Sequence, residues 1–230
     1  MGVAILQFPG TNCEQDVAYA YRNIGVDVEI VWHKCENLPS HTTLVVVPGG
    51  FSYGDYLRSG AIARFSPIMR AVEQFAKNGG YVLGICNGFQ ILCEAGLLPG
   101  ALKRNENLHF IHQWQTLCVC SNDNMLLCDY SSNYPISLPI AHADGSYFID
   151  EVGLEKLEQN NQILLRYQND VNGSIARIAG VCNEGKNVFG LMPHPERAIE
   201  SILGGIDGLA MLKALYQNTK TSRVCVDYNL

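Results

Sequence analysis

The chain has no block of lysine and arginine, although 16 of its 230 residues are basic. Because 22 residues are acidic, the formal net charge is −6, which argues against nucleic acid or an anionic membrane as the main partner. No apolar run approaches the roughly 18 residues of a membrane span, and no signal-peptide pattern precedes the first strand-like segment. We therefore expect a cytoplasmic protein whose partners are small molecules or other proteins.

A disulfide framework and a metal signature are also missing. The nine cysteines are odd in number and irregularly spaced, which indicates reduced thiols. Cys118, Cys120 and Cys128 have no second Cys-x-x-Cys or histidine pair, and the segment from His109 to His112 lacks the glutamate of a zincin helix. We expect no metal site.

No repeat, low-complexity run or linker divides the sequence, so residues 1–230 are expected to form one domain. Strand-like and helix-like segments alternate, which predicts an α/β fold: an open, mainly parallel sheet with helices on both faces. After residue 96, shorter apolar runs predict a smaller antiparallel section. The predicted strands are 3–7, 27–32, 44–47, 81–85, 116–120, 125–130, 136–141, 162–168, 174–178 and 188–192. The predicted helices are 14–23, 67–78, 89–95, 151–160 and 208–216, and Thr11 or Asn12 is expected to cap the first of them. Asn172-Gly173 is the predicted hairpin turn between the strands 162–168 and 174–178.

The most informative segment is a predicted strand, a sharp turn and a helix with Cys86 at the turn. Gly84 and Gly88 match the Gly-x-Ser-x-Gly nucleophile elbow, with cysteine in place of serine. We expect the thiol to be exposed, and the positive end of the following helix favours the thiolate, which is the reactive form. The sequence therefore predicts that Cys86 is a nucleophile.

Such a nucleophile needs a base and a group that orients the base. Pro195 favours an extended His194, so that the side chains of His194 and Glu196 project to the same side. This segment leaves the last predicted strand at the sheet edge that also carries Cys86. His194 is therefore the predicted base and Glu196 its orienting partner, with His142 as the competing base.

A glycine-rich segment, residues 48–56, follows the third predicted strand. It is not a Walker A loop, because Gly-Lys-Ser/Thr is absent. In hydrolases with this elbow, an oxyanion hole uses the N–H after the nucleophile and one N–H of such a loop, which here are those of Asn87 and Gly50. The competing interpretation is a turn without a function.

These segments resemble class I (triad) glutamine amidotransferases. The likeness rests on the nucleophile motif 84–90 and on His194-Pro195-Glu196. Residues 49–63, 94–100 and 191–197 look like the glutaminase subunits of phosphoribosylformylglycinamidine synthases. One departure is at residues 142–145, His-Ala-Asp-Gly, where that family more often has Gly-Glu between His and Gly.

The resemblance implies that Cys86 attacks the side-chain amide of L-glutamine. The N–H groups of Gly50 and Asn87 would then hold the oxyanion. His194 would move the protons while Glu196 fixes its tautomer, and water would hydrolyse the thioester. The product ammonia would pass to a partner.

The same resemblance implies that Gln90 holds the amino-acid end of glutamine. The partners implied are a separate synthetase subunit, which uses ATP and Mg²⁺, and a small third subunit, while this chain itself carries no cofactor. Phe51, Tyr53 and Arg58 are residue types favoured at protein contacts, so we expect this loop to meet the synthetase. A glutaminase for another acceptor and a catalytically inactive regulatory subunit are the alternatives.

Overall fold

The computed structural model describes residues 2–224, with side chains through residue 219. Its main element is a nine-stranded sheet. The strands of this sheet and of a separate two-stranded ribbon are β1 (Gly2–Gln7), β2 (Val28–Trp32), β3 (Thr42–Val47), β4 (Tyr81–Ile85), β5 (Ala101–Lys103), β6 (Ile111–Val119), β7 (Pro135–His142), β8 (Ser146–Phe148), β9 (Ile163–Tyr167), β10 (Ile178–Cys182) and β11 (Val188–Leu191). The helices are α1 (Glu14–Asn23), α2 (Pro67–Lys77), α3 (Asn87–Glu94), α4 (Glu151–Gln159) and α5 (Asp207–Val224).

The sheet order is β2-β1-β3-β4-β11-β10-β9-β6-β7, and β5 pairs with β8 in a separate ribbon. The first five strands in this order are parallel, and β10, β9, β6 and β7 continue the sheet in antiparallel pairs. The crossovers β1-α1-β2 and β3-α2-β4 run in opposite directions across the sheet, so their right-handed sense puts α1 and α2 on opposite faces. The predicted fold class is confirmed.

The core follows from the composition of the parallel strands. All six residues of β3 are buried, as expected for a strand covered on both faces by helices. Helix α1 contacts β1, β2 and α5, whereas α3 contacts β3, β4 and β11. Within residues 2–224, no helix combines the length and the apolar character that a bilayer crossing requires.

Four local predictions were wrong. The strand predicted at 174–178 is instead a 3-10 turn at Ile175–Arg177, and strand β10 begins only at Ile178. Residues 125–130 form turns instead of a strand, because the Asn124 side chain accepts hydrogen bonds from the amides of Leu126 and Leu127. Asn172 does not form a tight hairpin turn: its buried side chain bonds to Gly145, and β9 and β10 pair across the longer connection 168–177. Helix α1 follows Cys13 and has no side-chain cap.

The parallel strands bring distant residues to one edge of the sheet. Successive parallel strands end at the same edge, so the segments after β1, β3, β4 and β11 meet there, and β7 ends beside them. These segments contain Cys13, Gly50, Cys86 and His194, respectively. The sheet therefore assembles the predicted site from four separate parts of the sequence.

Gly88 sets the distance between α3 and the sheet. A Cβ atom added there would collide with the carbonyl oxygen of Val47 in β3. We expect Gly88→Ala to reduce the free energy of unfolding by about 3 kcal/mol or more, because α3 must move away from the core. Urea or thermal denaturation measures this effect. Gly96→Ala is the control, since its Cβ meets nothing within 4 Å and costs only backbone strain; equal losses in both variants would contradict the steric argument.

Candidate active site

Cys86 occupies the turn between β4 and α3 in an unusual backbone conformation. Its φ is 51° and its ψ is −106°, which is sparsely populated by residues other than glycine. The Cys86 amide donates a hydrogen bond to the carbonyl oxygen of Leu191 at 2.7 Å, which fixes the turn against β11. The predicted elbow geometry is therefore present in the structure.

The expectation of an exposed thiol was wrong, because Cys86 is only 5% exposed. Segments distant in sequence cover it, and the thiol faces a cavity of about 260 Å³ instead of bulk solvent. The cavity is lined by Asn12, Cys13, Gly50, Phe51, Cys86, Phe110, His112, Ala141, His194 and Arg197. A small substrate can thus be enclosed between the thiol and the residues opposite it.

His194 and Glu196 form the predicted pair. The Nδ1 atom of His194 lies 2.6 Å from Oε1 of Glu196. His194 and Glu196 are both buried, each with 2% of its surface exposed. The His194 amide donates to Pro139 of β7, which fixes the segment after β11. Burial by itself lowers the pKa of His194, but the Glu196 carboxylate and then Cys86 raise it well above its ordinary value.

His142, the competing base, lies in a different environment. Its Nδ1 atom is 3.1 Å from the amide oxygen of Asn105, and no carboxylate orients the ring. Burial and then the neighbouring His194 lower the pKa of His142 to about 4, so this imidazole is neutral near pH 7. The geometry therefore favours His194 as the base.

Gly50 lines the cavity from the loop after β3. Asn12 and Phe51 donate the two hydrogen bonds of a short antiparallel bridge between Thr11 and Gly50, and in this pattern the N–H of Gly50 points away from its partner. Glycine is required here, since φ is 141° and an added Cβ would lie 2.7 Å from the Asn12 nitrogen. The arrangement suits a donor to an oxyanion.

Asn87 is the first residue of α3, so its N–H has no acceptor within the helix. Its side chain has a role that the sequence did not suggest. The amide oxygen accepts from the Ser52 N–H at 3.1 Å, and the amide nitrogen donates to Gln90 at 2.8 Å. Asn87 thus links the elbow to the loop that carries Gly50.

Gln90 lies behind this contact instead of lining the cavity. Its Nε2 atom donates to the carbonyl oxygen of Asp144 at 2.6 Å, and its Oε1 atom accepts from Asn87. Both ends of the amide are therefore engaged within the protein. The role of Gln90 in holding the amino-acid end of glutamine stays a prediction.

The three loop residues predicted to meet a partner have different environments. Phe51 is 45% exposed and lies beside Phe110 at the cavity mouth. The hydroxyl of Tyr53 is directed inward, 2.8 Å from His33. Arg58 forms two 2.6 Å hydrogen bonds with Glu94 of α3. Phe51 is thus free to contact a partner, whereas Tyr53 and Arg58 hold the loop on the protein.

Asp144 also fixes this loop, and the charge state of Asp55 affects that attachment. Ser59 donates to Asp144 at 2.8 Å, and Asp55 is close enough to Asp144 to interact with it electrostatically. Burial and then the Asp144 charge raise the pKa of Asp55 to about 6. The stabilising protonated form of Asp55 is therefore lost as the pH rises towards and through 6, and repulsion between the two carboxylates then loosens the attachment.

A cysteine elbow facing a histidine–glutamate pair on a parallel sheet defines the class of triad-type glutamine amidotransferases. Comparison with protein families agrees with this class. A model of the CobB/CobQ-like glutamine amidotransferase domain matches residues 1–206. The chain therefore belongs to the glutamine amidotransferase family.

Relatives within that family are similar over almost their whole length. Phosphoribosylformylglycinamidine synthase subunit PurQ of Wolinella succinogenes is 63% identical, covering 94% of this chain and 99% of the relative. PurQ of Helicobacter hepaticus is 66% identical, with 94% and 97% covered. A chain in the structure of PurLQS from Thermotoga maritima is 42% identical with a TM-score of 0.86, covering 94% of this chain and 97% of that one. The particular group is therefore that of the PurQ subunits.

Substitutions can separate the two histidines. We expect His194→Ala to lower kcat for glutamine hydrolysis by roughly 10⁶-fold and Glu196→Gln by roughly 10⁴-fold, because the orienting residue of a triad is partly replaceable. His142→Gln, which can still bond to Asn105, should stay within about 10-fold of wild type. Glutamate release gives the rates, and circular dichroism verifies folding. A folded His194→Ala protein as active as wild type would show that His142 is the base.

Proposed function

We propose that this chain is the glutaminase subunit of a phosphoribosylformylglycinamidine synthase, which hydrolyses L-glutamine to glutamate and ammonia. One observation carries the proposal: Cys86 at the elbow lines the same cavity as His194, whose ring is bonded to Glu196. The identity to PurQ proteins, 55–66% over more than nine-tenths of the chain, supports the same activity.

The proposed reaction begins with the Cys86 thiol. His194 accepts its proton, and the sulfur attacks the amide carbon of glutamine while the N–H groups of Gly50 and Asn87 stabilise the oxyanion. The C–N bond then breaks as His194 returns the proton to the leaving ammonia, which gives a γ-glutamyl thioester. Water, deprotonated by His194, attacks the thioester and releases glutamate and the free thiol. Glu196 holds the imidazole in the tautomer that both steps need.

Ammonia formed in this cavity is proposed to pass to a synthetase subunit. That subunit would use ATP and Mg²⁺ to convert formylglycinamide ribonucleotide to formylglycinamidine ribonucleotide in purine biosynthesis, with a small third subunit completing the complex. The name PurLQS of the Thermotoga maritima structure supports a multi-subunit assembly. A cytoplasmic location fits the eight described cysteines, all of which are free thiols.

The two rival functions are less well supported. A glutaminase serving another acceptor would share the triad, but the 63% identity to PurQ of Wolinella succinogenes covers 94% of this chain. An inactive regulatory subunit would have no use for a strained cysteine facing a buried histidine–carboxylate pair. Both rivals predict no glutamine-dependent synthesis of the amidine.

Cys86→Ala separates the two half-reactions. In the reconstituted complex we expect it to lower glutamine-dependent synthesis by at least about 10⁴-fold, because no thioester can form, while synthesis from free ammonia continues. Amidine formation is measured with each nitrogen source. Cys93→Ala is the control, since Cys93 lies in α3, the helix that follows Cys86, and outside the cavity. Loss of ammonia-supported synthesis in the Cys86→Ala complex would assign Cys86 a structural role instead.

The loop of residues 49–63 is proposed to couple the partner to the chemistry. Because the loop carries Gly50, we expect the isolated chain to hydrolyse glutamine roughly 10²–10³-fold more slowly than the complex, as when one oxyanion donor is misplaced. Arg58→Ala removes the bonds to Glu94 and should lower the stimulated rate. Glutamate release with and without the synthetase measures both effects. The coupling is refuted if the isolated chain already reaches the rate of the complex and if Arg58→Ala neither weakens assembly nor lowers the stimulated rate.

A further inference from the structure

The cavity beside Cys86 contains a second thiol. Cys13 directly precedes α1, is 2% exposed and lines the same cavity. Its sulfur lies 3.0 Å from a guanidinium nitrogen of Arg197 and 3.2 Å from the amide oxygen of Asn12. The proposed hydrolysis of glutamine needs one thiol only, so the position of Cys13 calls for a separate explanation.

Cys13 and the histidine–glutamate pair are close together. The sulfur of Cys13, a ring nitrogen of His194 and a carboxylate oxygen of Glu196 all lie within 4.8 Å of one another. Gly49 lies beside both cysteines and the ring. A Cβ added there would lie 2.9 Å from Cε1 of His194, 3.1 Å from the Cys13 sulfur and 3.5 Å from Cβ of Cys86. The Cys13 thiol, the imidazole of His194 and the side chain of Cys86 therefore meet around one point.

The second ring nitrogen of His194 is free to bind a ligand. Nδ1 bonds to Glu196, whereas Nε2 is buried and has no hydrogen-bond partner. Metal-bound histidines commonly donate one ring N–H to a carboxylate and bind the ion through the other nitrogen. The His194–Glu196 pair has this arrangement before any ion binds.

We propose that the cavity binds one Zn²⁺ ion reversibly, through the sulfurs of Cys13 and Cys86 and Nε2 of His194. Glu196 orients the imidazole, and water completes a tetrahedral site. The Cys86 sulfur is not part of the group within 4.8 Å, so its side chain must rotate towards Cys13 and His194. Zinc bonds of about 2.3 Å to sulfur and 2.0–2.1 Å to nitrogen then draw the three donors together. The positive charge of the Arg197 guanidinium repels Zn²⁺. The ion therefore binds more weakly here than in a structural zinc site.

Bound zinc occupies the groups that the proposed chemistry needs. The ion takes the lone pairs of the Cys86 sulfur and of Nε2 of His194, so neither attack on glutamine nor proton transfer can occur. Zinc binding itself does not depend on the proposed function, but its effect on glutamine hydrolysis does. Zinc is thus an inhibitor here and not a cofactor of the reaction.

The test uses the purified full-length chain and Co²⁺ as a spectroscopic substitute for Zn²⁺. We expect one equivalent of Co²⁺ to give an intense thiolate-to-cobalt charge-transfer band, which Zn²⁺ abolishes by displacement. Cys13→Ser and Cys13→Ala should weaken Zn²⁺ binding at least about 10- to 100-fold in chelator competition, and alkylation of Cys86 should remove the band. Zn²⁺ should also protect Cys86 of the wild type from alkylation.

The remaining thiols require a control. Cys120→Ser provides it, because Cys120 follows the end of β6 that is remote from His112 and does not line the cavity. We expect this variant to bind like wild type. Glutamine hydrolysis is measured with Zn²⁺ relative to the zinc-free rate of each protein. The Zn²⁺ concentration that halves this relative rate should be at least 10-fold higher for Cys13→Ser than for wild type. Equal Zn²⁺ affinity of wild type and folded Cys13 variants, or loss of the band in Cys120→Ser, overturns the site. A normal band without any inhibition leaves the zinc site intact and contradicts the proposed glutaminase function.

Discussion

The close approach of α3 to the parallel strands is the constraint on which the rest of the site depends. Gly88 lies against the Val47 carbonyl, and the Cys86 amide is bonded to Leu191. Between these two contacts the chain has no room for a relaxed turn, so Cys86 adopts a positive φ. The packing of the surrounding core maintains this strained conformation, and the conformation directs the Cys86 thiol towards His194.

The sheet topology explains why the other groups are in reach of this thiol. Strands β3, β4 and β11 are adjacent and parallel, so the loop with Gly50, the elbow and the His194 segment leave the sheet side by side. The antiparallel part contributes through β7, whose Pro139 carbonyl fixes the His194 backbone and whose Ala141 lines the cavity. The antiparallel section therefore supplies part of the wall of the site that the parallel strands assemble.

Local patterns in the sequence were sufficient to predict the elbow, the His194–Glu196 pair and the alternation of strands and helices, because each depends on neighbouring residues. The burial of Cys86 could not be predicted in this way, since the covering residues come from segments around 12, 50 and 110. Cys13 was missed because no motif surrounds it, although its place after the first strand is a signal. The incorrect strand at 125–130 shows how one side chain, Asn124, can override an apolar pattern.

Asn87 has a mechanical consequence for the proposed oxyanion hole. Its own N–H is one donor, and its side chain holds Ser52, two residues beyond the other donor, Gly50. The separation of the two donors is thus set through one residue and not by the long path through β3 and β4. A displacement of the elbow is therefore transmitted to the loop of the other donor through the bond between Asn87 and Ser52.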